Sequence, residues 1–231
     1  LAEAGALVGV VASRSREKAD GVVREIAEQG GQSKSFVADI ADVSEIKRLV
    51  QEFLDNFTTI DILVNSAGVF YPTVIGKVAE AEFDRMVDIN LKGLFYTIDA
   101  VAPIMMQNSG GKIINIASIA GIVASKDFGL YCAVKAGVIA LTKSFALQLA
   151  PFNVNVNAIA PGNTATAINL HIRTAPEYED RRKMIDSTTP SPRKFSEPED
   201  IAEGVLFLAS GRSRAMYGST LLMDQGRAAG L

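Results

Sequence analysis

The chain has 231 residues, of which 48% are apolar and 21% charged, with a formal net charge of −3. That length suits one ordinary domain with a sizeable core, and the composition excludes a disordered chain. Both charge signs are dispersed, which argues against a nucleic-acid surface, no apolar run reaches the roughly 18 residues of a membrane helix, and one Cys with one His leaves no disulfide and little basis for a metal centre.

The expectation is therefore a cytoplasmic, metal-free protein. Short apolar strands then alternate with helix-length segments. Leu7–Ala12 (LVGVVA) reads as a strand and Arg16–Gln29 as a helix. Ser35–Val37 is a short strand running to Asp39, and Val43–Phe57 a helix with Ile46, Leu49, Val50 and Phe53 at helical spacing. Ile60–Asn65 is a branched strand. Glu80–Gln107 is largely helical with a break near Asn90, because asparagine is a poor helix former. Lys112–Ala117 is a strand, Leu130–Ala150 a long helix stopped by Pro151, and Val154–Ile159 a strand alternating Asn with apolar residues. Pro198–Ala209 is a helix opened by proline, and Leu221–Met223 a last short strand. The alternation implies a doubly wound α/β fold with a parallel sheet, a single domain over 1–231, and ligands beyond the carboxyl ends of the strands. The segment Asn163–Ser196 reads as long, irregular and lid-like.

Several residues at strand ends or on helices can carry chemistry. Tyr131 and Lys135 (YCAVK) stand one helical turn apart on one face. A phenol titrates near 10, too high for efficient proton transfer at neutral pH; a neighbouring ammonium is expected to lower it. Taken alone, such a pair is more often a pair of surface neighbours. Ser118 follows a strand and can donate to a substrate oxygen, or serve only as a turn residue before Gly121. Asn65–Gly68 (NSAG) ends another strand, where small residues admit a ligand close to the backbone. Cys132 reads as helix packing and His171 as a solvated lid residue. Arg173, Tyr178, Arg181 and Arg182 form a basic cluster that suits an acidic or phosphopantetheine-bearing substrate, or a solvated helix face.

Asn90, Ser118, Tyr131 and Lys135 occur in that order with gaps of 28, 13 and 4. With YxxxK, the serine before it, NSAG, Asp39 and Pro161-Gly162, the chain resembles the short-chain dehydrogenase/reductase family over essentially its whole length. The resemblance implies hydride transfer between NADP(H) or NAD(H) and a carbonyl/alcohol group of a small molecule. It implies Tyr131 as acid/base, Lys135 as the group that tunes it and holds the nicotinamide ribose, Ser118 as the polariser of the substrate oxygen, and Asn90 as anchor of a relay water. Asn65, Ala67 and Gly68 are expected along the adenosine side, Asp39 and Ile40 at the adenine, and Pro161, Gly162 and Thr164 at the nicotinamide end. The strand Leu7–Ala12 ends in Ser13-Arg14 with no carboxylate before Glu17, so Ser13 and Arg14 suit a 2′-phosphate and favour NADP over NAD. In the family, the helices around Leu91–Gln107 and Leu130–Ala150 pair between subunits of a homotetramer.

Two departures stand out. The family opens with a strand and a glycine-rich turn that cradles the pyrophosphate. Leu1–Ala6 instead resembles the tail of the helix after them, so the chain is expected to be N-terminally truncated, to lack a central strand, and to bind NADP weakly as it stands. A truncated, non-catalytic binding or assembly partner is the alternative reading. The family also has two glycines after the aspartate at position 224, where this chain has Gln225-Gly226.

Overall fold

The computed structural model describes residues 1–229. Within them the order is β1 (Leu7–Ala12), α1 (Arg16–Glu28), β2 (Gln32–Val37), α2 (Val43–Phe57), β3 (Ile62–Asn65), α3 (Glu80–Val87), α4 (Gly93–Gln107), β4 (Gly111–Ile116), α5 (Gly129–Leu149), β5 (Val154–Pro161), α6 (Leu170–Thr174), α7 (Glu179–Thr188), α8 (Pro198–Ala209) and β6 (Thr220–Met223). Every strand and helix expected from the sequence is present, with ends moved by a few residues. Local chemistry explains several starts. Asp42 caps α2 by accepting from the Ser44 N–H at 2.7 Å, and Ser15 caps α1. Pro198 opens α8, where its missing N–H is harmless.

All strand pairs are parallel, as the alternation predicts. They form two groups: β1 with β2, and β3-β4-β5-β6 in that order. β1 and β3 do not pair with each other, and the interruption falls where the family resemblance places a further strand. Helix α2 joins the two groups. Phe53 packs against the small cluster of Phe36, Ala38 and Leu49, and also against the main core around Ile98, Met105, Ile113 and Val156. Its ring lies 5.6 Å from that of Phe36 and 4.7 Å from that of Phe57. Gly9 in β1 makes room for it: a Cβ there would come within 2.5 Å of the Phe53 ring.

Strand β5 is covered on both faces. Its asparagines are buried with partners. Asn155 and Asn157 each donate to the Met216 carbonyl at 2.8 Å, and Asn157 accepts from the Ser219 N–H. Helix α5 and the 3-10 turn after it, Gly129–Phe152, make a stretch long and apolar enough by composition to cross a membrane, contrary to the sequence expectation. Here it packs on β5 and α4 and buries Lys135 and Thr142.

Three local findings refine the expectations. The break near Asn90 is a π-helical stretch, Asp88–Lys92, set between α3 and α4 without interrupting their common path. The segment Asn163–Ser196 is not irregular, for it contains α6 and α7. Arg182 holds these two together by donating to the Ile172 and Ala175 carbonyls at 2.9 and 2.7 Å, while Arg173 donates to the Thr166 carbonyl at 3.1 Å. Gln225 adopts φ +60°, the left-handed region that costs least for glycine, which accounts physically for the family's glycine there. Its side chain donates to the Ser196 hydroxyl at 3.1 Å, a contact glycine lacks.

Removing the Phe53 ring should loosen the joint between the two strand groups. Phe53→Ala is expected to lower unfolding free energy by about 3 kcal/mol, the low end for a buried ring because this one is partly exposed. Urea denaturation of both proteins measures this; a loss below about 1 kcal/mol would remove Phe53 as the joint.

Candidate active site

The site forms where α5 passes the carboxyl end of β4. Lys135 is buried, and its ammonium donates to the carbonyl of Ile116, the last residue of that strand, at 2.7 Å. The chain then turns through Ser118–Gly121. Ser118 caps this turn, its Oγ accepting from the Ala120 N–H at 3.1 Å. With that lone pair engaged, the hydroxyl proton remains available to a substrate oxygen. Gly121 lets the turn sit directly on α5: a Cβ there would come within 2.7 Å of the Lys135 backbone carbonyl. That close approach carries Ser118 to Tyr131.

Tyr131 is held by its ring. Phe70 meets it edge-on at 4.8 Å and stacks on Phe128 at 4.6 Å. The Lys135 ammonium lies 5.8 Å from the centre of the Tyr131 ring. Burial pushes the Tyr131 pKa up to about 12, with the Ser118 hydroxyl pulling the other way. Burial also brings Lys135 down to about 8. Loss of solvent thus opposes the phenolate, and the lowering expected from Lys135 has to act against it from an ammonium that donates to Ile116.

Asn90 lies in the π-helical stretch with both ends of its amide engaged. Its Nδ2 donates to the Met86 and Val69 carbonyls, and its Oδ1 accepts from the Val69 N–H at 3.2 Å. It thus clamps the loop after β3. Gly68 in that loop is pressed close: a Cβ would stand 2.7 Å from the Asn90 Oδ1 and 3.9 Å from the Lys135 Nζ.

These residues line one cavity of about 340 Å³. Of the expected site residues it gathers Gly68, Asn90, Ser118, Tyr131, Lys135, Pro161, Gly162 and Thr164. The others lie outside it. The Asn65 amide reaches across the sheet, donating to Asn115 at 2.9 Å. Ala67 is exposed between two lining residues. Ser13, Arg14, Asp39 and Ile40 form a second group past the ends of β1 and β2, where the Arg14 guanidinium stands 3.5 Å from the Asp39 carboxylate. Sequence reasoning missed the wall made by Phe70, Phe128, Ile185, Phe195 and Arg227. The aromatic residues flank recognisable motifs. Arg227, in a short terminal run of small residues, gave no signal. Among the described residues no group of His, Cys, Asp and Glu side chains assembles as a metal site.

The residues present fit a dinucleotide. The hydroxyl of Thr164 is buried without a hydrogen-bond partner at the cavity wall, Gly68 leaves a floor without a side chain, and Arg14 is exposed beyond β1.

Comparison with known proteins agrees. The family model described as enoyl-(acyl carrier protein) reductase matches residues 1–228. The chain is 37% identical over 226 residues to the 3-oxoacyl-(acyl-carrier-protein) reductase FabG of Staphylococcus aureus, covering 98% of this chain and 89% of the relative. Among solved structures, a gluconate 5-dehydrogenase from Burkholderia cenocepacia in complex with NADP and tartrate superposes with a TM-score of 0.92 at 30% identity, covering 100% of this chain and 88% of that one. A putative 2-deoxy-D-gluconate 3-dehydrogenase from Agrobacterium tumefaciens with bound NADP gives 0.87 at 33%, covering 99% and 88%. A tyrosine, serine and lysine gathered at the ends of parallel strands, in a chain with these relatives, make this protein an oxidoreductase of the short-chain dehydrogenase/reductase family.

Proposed function

We propose that the protein reduces a carbonyl, or oxidises the corresponding alcohol, on a small molecule with NADP(H) as partner, and that Tyr131 moves the proton. The observation that carries this reading is the convergence of Tyr131, Ser118 and Lys135 on one cavity. That intact grouping supports catalysis over a non-catalytic binding role. Nicotinamide, when bound, supplies or accepts the hydride. In reduction, the Ser118 hydroxyl donates to the substrate oxygen and polarises the carbonyl. The Tyr131 hydroxyl gives that oxygen its proton. Ser118 and the Lys135 charge then stabilise the phenolate left behind. Asn90 positions the β3 loop and leaves one carbonyl lone pair for a water that could return a proton toward Lys135.

NADP is the better fit than NAD. Arg14 offers a planar fork for a 2′-phosphate, and its pairing with Asp39 occupies the carboxylate nearest it. Two of the solved relatives hold NADP. Asp39 and Ile40 would meet the adenine, Ser13 the same end, and Pro161, Gly162 and Thr164 the nicotinamide end. Asn65, Ala67 and Gly68 would offer backbone along the adenosine side. The chain is read as one catalytic domain with α6 and α7 as its lid. A homotetramer is supported by the apolar hollow on α4 and α5, lined by Leu91, Phe95, Tyr96, Gly137 and Leu141. The single cysteine suits a reducing cytoplasmic setting, and the dispersed charge suits neither nucleic acid nor membrane as partner.

Tyr131→Phe tests the central claim. Turnover should fall by about 10²–10⁴-fold, while NADPH affinity stays within about threefold. Steady-state kinetics beside a fluorescence titration measure both, and activity above a tenth of wild type would displace Tyr131 as the proton donor. Arg14→Ala should weaken NADPH about tenfold and leave NADH nearly unchanged, since a charge-assisted contact to phosphate is lost; equal weakening of both would assign the arginine another role. Reduction should also depend on pH. Tyr131, near 12, stays protonated throughout, whereas Lys135 holds its charge below about 8 and loses it above. The kcat/KM for reduction should be level near neutrality and decline as pH passes about 8. A profile level to pH 9 would show that the ammonium is not used.

A further inference from the structure

The lid helices were expected to carry a basic cluster, and its members divide by partner. Arg173 and Arg182 spend their donors on backbone carbonyls of the lid itself. Arg181 does not. Its side chain lines the cavity that holds Tyr131 and Ser118, its guanidinium lies 4.2 Å from the centre of the Phe128 ring, and its buried Nε has no hydrogen-bond partner. Arg227 reaches the same cavity from the turn after β6, and its only described side-chain hydrogen bond is to the Met184 sulfur at 3.7 Å, a weak acceptor.

Among the described residues neither arginine enters an ion pair. Two carboxylates act on them from a distance: Asp127 on Arg181, and Asp224 on Arg227. Asp224 has both oxygens committed to backbone, accepting from the Gly226 and Ala228 N–H groups at 3.0 and 2.7 Å. Burial lowers the pKa of both arginines, and the Arg227 charge lowers Arg181 further. A buried guanidinium donor without an acceptor, as at the Arg181 Nε, is costly. The group that fills a guanidinium fork is an acceptor-only anion such as a carboxylate.

We propose that the substrate is a small oxo acid or hydroxy acid whose carboxylate is bound by Arg181 and Arg227 while its carbonyl or hydroxyl lies at Tyr131 and Ser118. This rests on the reading of Tyr131 as the proton donor and adds the chemical class of the substrate. The cavity's modest volume and the burial of the Arg181 Nε favour a free small acid over the acidic surface of a carrier protein, which would meet only exterior arginines.

The test needs no turnover. Binding of 4-oxopentanoate, 5-oxohexanoate and 6-oxoheptanoate, each beside its methyl ester, is measured by calorimetry or ligand-observed NMR on the whole chain. The ester keeps the ketone and removes the charge. At least one acid should bind about tenfold more tightly than its ester, and Arg181→Met and Arg227→Met should each reduce that preference to within about twofold. Thermal melting confirms that the variants fold; Arg181→Lys, which keeps the charge but not the fork, should retain a partial preference if the methionine variant does not. Equal binding of acid and ester, no binding of any acid at 50 mM, or an unchanged preference in both folded methionine variants overturns the proposal. Tyr131→Phe separates this from the underlying reading. Its loss of NADPH-dependent reduction bears on the proton donor, while its acid-over-ester preference should remain as in wild type.

Discussion

A buried ammonium organises this structure. Lys135 sits almost wholly out of solvent on α5, and its one described hydrogen bond runs to the carbonyl of Ile116 where β4 ends. Burying a charge is expensive, and the drop of its pKa to about 8 expresses that cost. Three segments meet around this residue. The turn after β4 is slim, with Gly121 lying against the Lys135 backbone. The loop after β3 approaches closely, and Gly68 permits that. The π-helical stretch between α3 and α4 places Asn90 against that loop. The cavity is therefore walled by segments packed about Lys135.

The same arrangement explains the tyrosine. Tyr131 is wedged against Phe70, itself stacked on Phe128, in surroundings that oppose a phenolate. Ser118 is the group acting the other way. A phenol in that state keeps its proton at neutral pH, and in the proposed reaction it yields that proton to an oxygen already gaining charge.

Much of this was legible in the sequence, and the limits have physical causes. The alternation of strands and helices survives because apolar periodicity and capping residues are local. Asn90 betrayed the π-helical stretch because an asparagine inside an apolar helix needs a reason. Tyr131, Lys135 and Ser118 were singled out by the family resemblance rather than by spacing alone, and they line one cavity. Other features depend on partners far along the chain. The Asn65 amide donates to Asn115, fifty residues away, which in turn donates to Thr142, a link that spacing does not show. The lid looked irregular because its helices are short and polar, with boundaries set by arginine-to-carbonyl bonds rather than by an apolar face. Arg227 was invisible because nothing near it in sequence marks a site, and only tertiary folding brings it to the cavity.

Accounting for donors separates structure from recognition more sharply than composition does. Arg173, Arg181 and Arg182 are chemically identical and lie within ten positions of one another. Arg182 meets the Ile172 and Ala175 carbonyls at the end of α6, where a guanidinium complements the helix dipole, and Arg173 donates to the Thr166 carbonyl and the Asn169 side chain. The third lies over an aromatic ring with a donor left empty. A ring face attracts the charge but accepts none of the in-plane N–H groups. Packing on Phe128 thus holds Arg181 without taking up its donors, and the aromatic group that holds Tyr131 also holds a cation of the cavity wall.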